Sequence, residues 1–120
     1  MNIGWNFQMN PPLRYHYSEQ EVNEEIVHSA KAYLVCHSPA EVFVKCRKGV
    51  SGSVVSPEMC VKDSVAVFNC FQDVKRVPEK CRDVFGKALE CLNGGRFCEN
   101  EVQGYLRCEH PAMRVYEGYQ

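Results

Sequence analysis

No stretch of this 120-residue chain is apolar for long enough to cross a bilayer: the richest run, Val65 to Phe71, is seven residues long and includes Asn69, where roughly 18 to 20 are needed. An excess of charge of either sign is missing too. The 14 basic and 15 acidic residues are scattered, which leaves no electrostatic footprint for nucleic acid and points toward a protein or lipid-adjacent partner. Met1 to Leu13 holds no charged segment followed by an apolar one, so a secretory leader is not expected. Nor is a transit peptide, because Arg14 is the only basic residue before Lys31 while Glu19, Glu21, Glu24 and Glu25 are acidic. There is no Gly-rich phosphate loop, no HExxH, no C-x-x-C and no convincing Ser, His and Asp set. No catalytic, cofactor-binding or metal-binding residue is assigned, and the chain is expected not to be an enzyme.

What is abundant is cysteine. A chain of this length buries only a modest core and usually needs staples, and its eight cysteines indicate a disulfide framework formed in an oxidising compartment. They fall as Cys36 and Cys46, Cys60 and Cys70, Cys81 and Cys91, Cys98 and Cys108, four successive C-x9-C motifs. Zinc ligation is the rival reading, but structural zinc sites use closer spacings, and the nearest cysteines of different motifs here are Cys91 and Cys98. His37 beside Cys36 and His110 near Cys108 are read as solvated surface residues.

The pattern along the chain is helical throughout. Residues 1–17 combine Pro11 and Pro12 with aromatics, Asn and Gln, show neither a helical nor a strand period, and are read as an extended arm. Ser18 with Glu21 forms a capping-box signature, and Val22, Ile26, Ala30 and Tyr33 follow at helical spacing, predicting a helix from Ser18 to about Cys36. Ser38, Pro39 and Glu41 predict a second start, with a helix to about Lys48. A Gly and Ser turn precedes Ser56 and Pro57, which restart the chain through Cys60, Cys70 and Val74. Pro78 opens the next helix and Asn93, Gly94 and Gly95 stop it; the last helix runs from about Phe97 to Glu109, with Pro111 as its terminator. The expected organisation is an arm over 1–17, an N-terminal helix with the first hairpin over 18–75, a second hairpin over 76–109 and a tail over 110–120.

Ten residues of α-helix rise about 15 Å and rotate almost three whole turns, so both cysteines of one motif face the same neighbouring helix. Two cysteines about 15 Å apart cannot bond to each other. In an antiparallel hairpin the cysteine nearest the turn meets the one just after it, and the outer two meet each other. The expected bonds are Cys46 with Cys60 and Cys36 with Cys70, then Cys91 with Cys98 and Cys81 with Cys108. The fold class is all-α, two disulfide-stapled antiparallel hairpins preceded by a helix and an extended arm.

These motifs resemble the twin C-x9-C, or CHCH, proteins of the mitochondrial intermembrane space. The stretch from Ser29 to Arg47, with Cys36 followed by Pro39 and with Phe43 preceding Cys46 and Arg47, is similar to the double-hairpin members that serve as accessory subunits of respiratory complex I. The resemblance implies a non-catalytic structural subunit on the intermembrane-space face of the membrane arm, peripheral to the inner membrane, contributing to assembly and stability. Implied partners are other membrane-arm subunits, the disulfide-relay import receptor and peripheral lipid, with no nucleic acid. In that family the import signal is an apolar and aromatic helix face beside a docking cysteine, and Tyr33, Val42 and Phe43 occupy the matching positions. On the arm, Trp5, Phe7, Tyr15 and Tyr17 are expected to anchor on a neighbouring subunit. Tyr116 and Tyr119 invite the same reading. The alternative is an assembly factor or metallochaperone of the same compartment, which a stable monomer carrying copper would favour.

Overall fold

A computed structural model describes residues 17–49 and 57–120; the arm residues Trp5, Phe7 and Tyr15 and the Ser56 cap lie outside them. Among the described residues six α-helices succeed one another: α1 (Glu19–Val35), α2 (His37–Lys48), α3 (Val61–Val74), α4 (Arg82–Asn93), α5 (Glu99–Arg107) and α6 (Pro111–Tyr116). Short 3-10 turns at Pro57–Cys60 and Glu79–Cys81 lead into α3 and α4. No strand occurs among the described residues. Helices α2 and α3 pack as one hairpin and α4 and α5 as the other, while α1 contacts both.

Local chemistry accounts for most of the boundaries. The Ser18 hydroxyl accepts from the Glu21 backbone at 3.1 Å and the Glu21 carboxylate accepts from the Ser18 backbone at 2.8 Å, closing the capping box that starts α1. Gly95, with a positive φ of 73°, turns the chain between α4 and α5, a conformation glycine adopts without penalty.

Several boundaries differ from expectation: α3 and α4 begin at Val61 and Arg82, after 3-10 turns that follow Ser56 and Pro78, and α5 runs from Glu99 to Arg107 instead of Phe97 to Glu109; two further differences have a plain cause. Helix α2 begins at His37, directly after α1, with Cys36 as the pivot and no side-chain cap. The chain changes direction within one residue because Cys36 is bonded to Cys70 on α3, so the separate start expected at Ser38 is not needed. Pro39 sits in the first turn of α2, where its missing N–H forfeits no helical bond. At the other end, Pro111 does not close α5, which stops at Arg107; it opens α6 instead. A proline at the first helical position has its φ preset and lacks only a donor that would be unpaired anyway.

The buried face of α1 also differs. Val22, Ile26 and Tyr33 are exposed. Val27, Lys31, Ala32 and Val35 are buried instead. Residues four apart share a helix face, and Ala32 stands four before Cys36, so the bond from Cys36 to Cys70 selects which of two equally helical stripes turns inward. Ala32 and Val35 join Cys36, Cys70, Val74 and Ala112 in one core cluster; Val27 joins Cys81 and Tyr105 in another, ringed by Val77, Val84, Phe85, Leu89 and Leu92. Among the described residues helix α1 is the one element that supplies buried side chains to both clusters, so it is a wedge between the hairpins.

Candidate functional site

Four disulfides join the facing helices. Cys36 pairs with Cys70 and Cys46 with Cys60 in the first hairpin, with Cα separations of 5.8 and 6.0 Å. Cys81 pairs with Cys108 and Cys91 with Cys98 in the second, at 5.9 and 6.0 Å. All lie in the range a disulfide requires. Outer cysteine meets outer and inner meets inner, the arrangement that antiparallel packing dictates for C-x9-C motifs. Every thiol is consumed, and none remains to act as nucleophile or soft metal ligand. Cys91, Cys98 and Glu101 converge closely enough to suggest a metal site, but the two sulfurs are bonded to each other, which accounts for their proximity.

The second feature is a buried cation that the sequence reading missed. Lys31 on α1 is 3% exposed. Its ammonium donates to the carbonyls of Tyr105 at 3.1 Å and Leu106 at 3.0 Å, and also to that of Cys108. These belong to the C-terminal end of α5, where the Tyr105 carbonyl also takes the closing bond from the Cys108 backbone at 3.0 Å and the helix dipole favours a positive charge. Nζ also stands 5.1 Å from the centre of the Tyr105 ring, within cation–π range. Burial pulls the ammonium pKa below its ordinary value. The signal for this residue was its position midway between Val27 and Val35 on the stripe that leads to Cys36.

Two histidines complete the junction. His110, expected at the surface, is buried. Its Nδ1 accepts from the Ala112 backbone at 3.0 Å, capping α6, and its Nε2 lies 3.2 Å from the Arg76 carbonyl in the linker between hairpins. That pair of contacts suits the neutral tautomer with the proton on Nε2. His28 stacks on Phe85 of α4 at 5.0 Å, with its Nδ1 buried and lacking a partner. Burial lowers the pKa of both, outweighing the carboxylates of Glu24 and Glu25 at His28 and of Asp73 at His110. The tail tyrosines likewise turn inward: Tyr116 donates to Asp73 at 2.9 Å and Tyr119 to Asp63 at 3.0 Å, strapping the C-terminus along α3.

The third feature is an uncovered apolar face. Between α1 and α3 runs a hollow of about 470 Å³ walled by Ala32, Val67, Phe68 and Phe71, with the Glu25 and Lys75 ion pair (3.2 Å) at its edge. A second hollow of about 420 Å³, lined by Tyr17, Val22 and Ile26, adjoins it through Glu25 and Ser29, which border both. Of the residues matched to an import face, Tyr33 is exposed on α1, while Val42 and Phe43 are half-buried on α2, with the Arg47 guanidinium 6.0 Å from the Phe43 ring centre. Tyr17 is exposed at the edge of the hollow. No helix among the described residues is long and apolar enough to cross a membrane. Comparison with known protein families and with curated proteins finds no match.

Proposed function

We propose that this chain is a non-catalytic structural subunit of mitochondrial NADH:ubiquinone oxidoreductase, held on the intermembrane-space face of the membrane arm and peripheral to the inner membrane. The observation that carries this reading is the pair of stapled hairpins built from four C-x9-C motifs, with every cysteine committed to a bond. Such a molecule has rigidity and surface to offer. Around Cys36 to Arg47 the sequence resembles the 19 kDa (PGIV) accessory subunit of that enzyme, and this resemblance selects the complex.

In this role the contacts to neighbouring subunits come from apolar side chains a monomer has no reason to expose. Phe68 on α3 and Phe97 before α5 are 62% and 90% exposed, and the arm adds Trp5, Phe7, Tyr15 and Tyr17. Tyr33, Val42 and Phe43 serve the reduced precursor during import; in the closed hairpins Val42 and Phe43 are half-buried while Tyr33 stays exposed.

Mitochondria solubilised in mild detergent and resolved on a native gel test the assignment. Co-migration of the chain with NADH dehydrogenase activity is the expected result, and migration with another complex refutes it. Recovery as a free monomer carrying copper would favour an assembly factor or metallochaperone instead.

A further inference from the structure

Asparagine is followed by glycine at a single place in the chain, Asn93 and Gly94. In such a pair the glycine has no side chain to shield its nitrogen from the asparagine carboxamide. When the two meet, the nitrogen attacks the asparagine Cγ, a C–N bond closes a cyclic imide, and ammonia leaves with the proton that the nitrogen sheds. Water then opens the ring at either carbonyl, giving aspartate or β-linked isoaspartate. Water is consumed and ammonia released, so the step needs no oxidant and no cofactor.

In the oxidised fold this approach is blocked. Asn93 is the last residue of α4, and helical backbone holds Cγ away from the nitrogen that follows. That nitrogen is also engaged: the Gly94 N–H donates to the carbonyls of Glu90 and Cys91, both at 3.1 Å. Gly95 donates to Leu92 at 2.9 Å and Arg96 to Cys91 at 3.4 Å, which with the positive φ of Gly95 completes a Schellman turn. The carboxamide is held in turn, because its Oδ1 accepts from Nδ2 of Asn23 on α1 at 2.8 Å. The whole turn lies inside the loop closed by the bond between Cys91 and Cys98, which are only 7 residues apart. In the reduced chain α4 is a helix of 12 residues, a length that is marginal in water without tertiary support.

We propose that Asn93 is a deamidation site guarded by the Cys91 to Cys98 bond: it converts to aspartate and isoaspartate while the chain is reduced and is preserved once the bond closes. Isoaspartate adds a backbone carbon inside the loop that the bond must close, and it displaces the group that meets Asn23. The mark therefore falls on a tie between α1 and the second hairpin, and a chain that lingers unoxidised keeps a permanent record of the delay. The site stands whichever complex the chain joins.

The test is to age the full-length protein at neutral pH and physiological temperature, either oxidised or held reduced. Mass spectrometry then follows the tryptic peptide from Ala88 to Arg96, whose only asparagine is Asn93, with isoaspartate resolved by its elution. The reduced chain should convert several-fold faster than the oxidised one. Cys91→Ser combined with Cys98→Ser, with the other bonds intact, should raise the rate in the oxidised protein several-fold. Gly94→Ala, whose methyl group shields the nitrogen, should slow conversion in the reduced chain several-fold. Asn69 and Asn100, which precede Cys70 and Glu101, should stay intact throughout and serve as internal standards. Equal rates in the oxidised and reduced wild-type chains refute the proposal, as does an Asn93 that persists in the reduced chain as long as Asn69 and Asn100 do. A double serine variant as slow as the oxidised wild type overturns the guarding role of the bond and assigns the protection to the helix alone.

Discussion

Replacing Lys31 with Met removes the buried ammonium while keeping an unbranched side chain of similar length, and the junction between α1 and α5 bears the consequence. Three carbonyls at the end of α5 lose the ammonium, and only that of Tyr105 keeps another donor, the Cys108 backbone N–H at 3.0 Å, among the bonds described. A hydrogen bond involving a charged group contributes about 1.5 to 3 kcal/mol net, but three such bonds do not simply add. The cost of burying the ammonium, visible in its lowered pKa, offsets part of the gain. The expected net loss is about 3 kcal/mol, which for a domain of this size lowers Tm by roughly 10 °C. Thermal and urea unfolding followed by far-UV circular dichroism, with all disulfides intact, measure the total. Amide exchange locates it, and the last turn of α5 should lose protection before α2 and α3 do. Lys75→Met is the control: its ion pair with Glu25 is solvent-exposed and should be worth under about 1 kcal/mol. A Lys31→Met protein as stable as the wild type would refute the reasoning, because it would mean that desolvation cancels the bonds and that apolar packing alone seats α1.

Acid should loosen the same junction. His28 and His110 have folded-state pKa values below the ordinary 6.5, so the unfolded chain takes up protons first; the stability these groups contribute is present above about pH 6.5 and is lost as pH falls through their lowered values. The urea midpoint should therefore drop between pH 7.5 and 5, and His110→Asn, which keeps an N-cap residue, should flatten part of that drop; an unchanged slope would acquit His110. Disulfide removal should scale with the loop each bond closes. The Cys36 to Cys70 bond spans 34 residues and the Cys91 to Cys98 bond spans 7, so the corresponding double alanine variants should lose about 4 and about 2 kcal/mol in the chain-entropy treatment. Equal losses in denaturant melts would show that something other than loop closure sets the value of these bonds.

The hairpins were legible in the sequence because their determinants are local. Nine residues between cysteines fix a face, and Gly94 with Gly95 fixes where α4 stops, whereas Pro78 opens only the 3-10 turn ahead of α4. What the helices bury across the molecule was harder to read. On α1, the stripe through Val22 and Ile26 and the stripe through Val27, Lys31 and Val35 have the same period, and the more apolar stripe faces outward because Cys36 is tied to Cys70. A lysine in the core is contrary to its usual place at the surface, and only the carbonyls at the end of α5, more than 70 residues away, explain it. Pro111 carried two meanings, terminator and initiator, and the His110 side chain decided between them by capping α6. Tyr116 and Tyr119 looked outward in sequence because Asp73 and Asp63 are distant in the chain.

The wedge position of α1 also sets an order of events. Each hairpin can close on its own, through bonds that span between 7 and 34 residues. The contact from Lys31 to α5 spans 74 or more, and contacts of that separation require the most chain entropy to be surrendered before any return. The seat for α1 does not exist until both hairpins stand. Helix α1, which precedes both hairpins along the polypeptide, is therefore the last to find its place, and the maturation of this molecule ends with a cation sliding under a helix terminus.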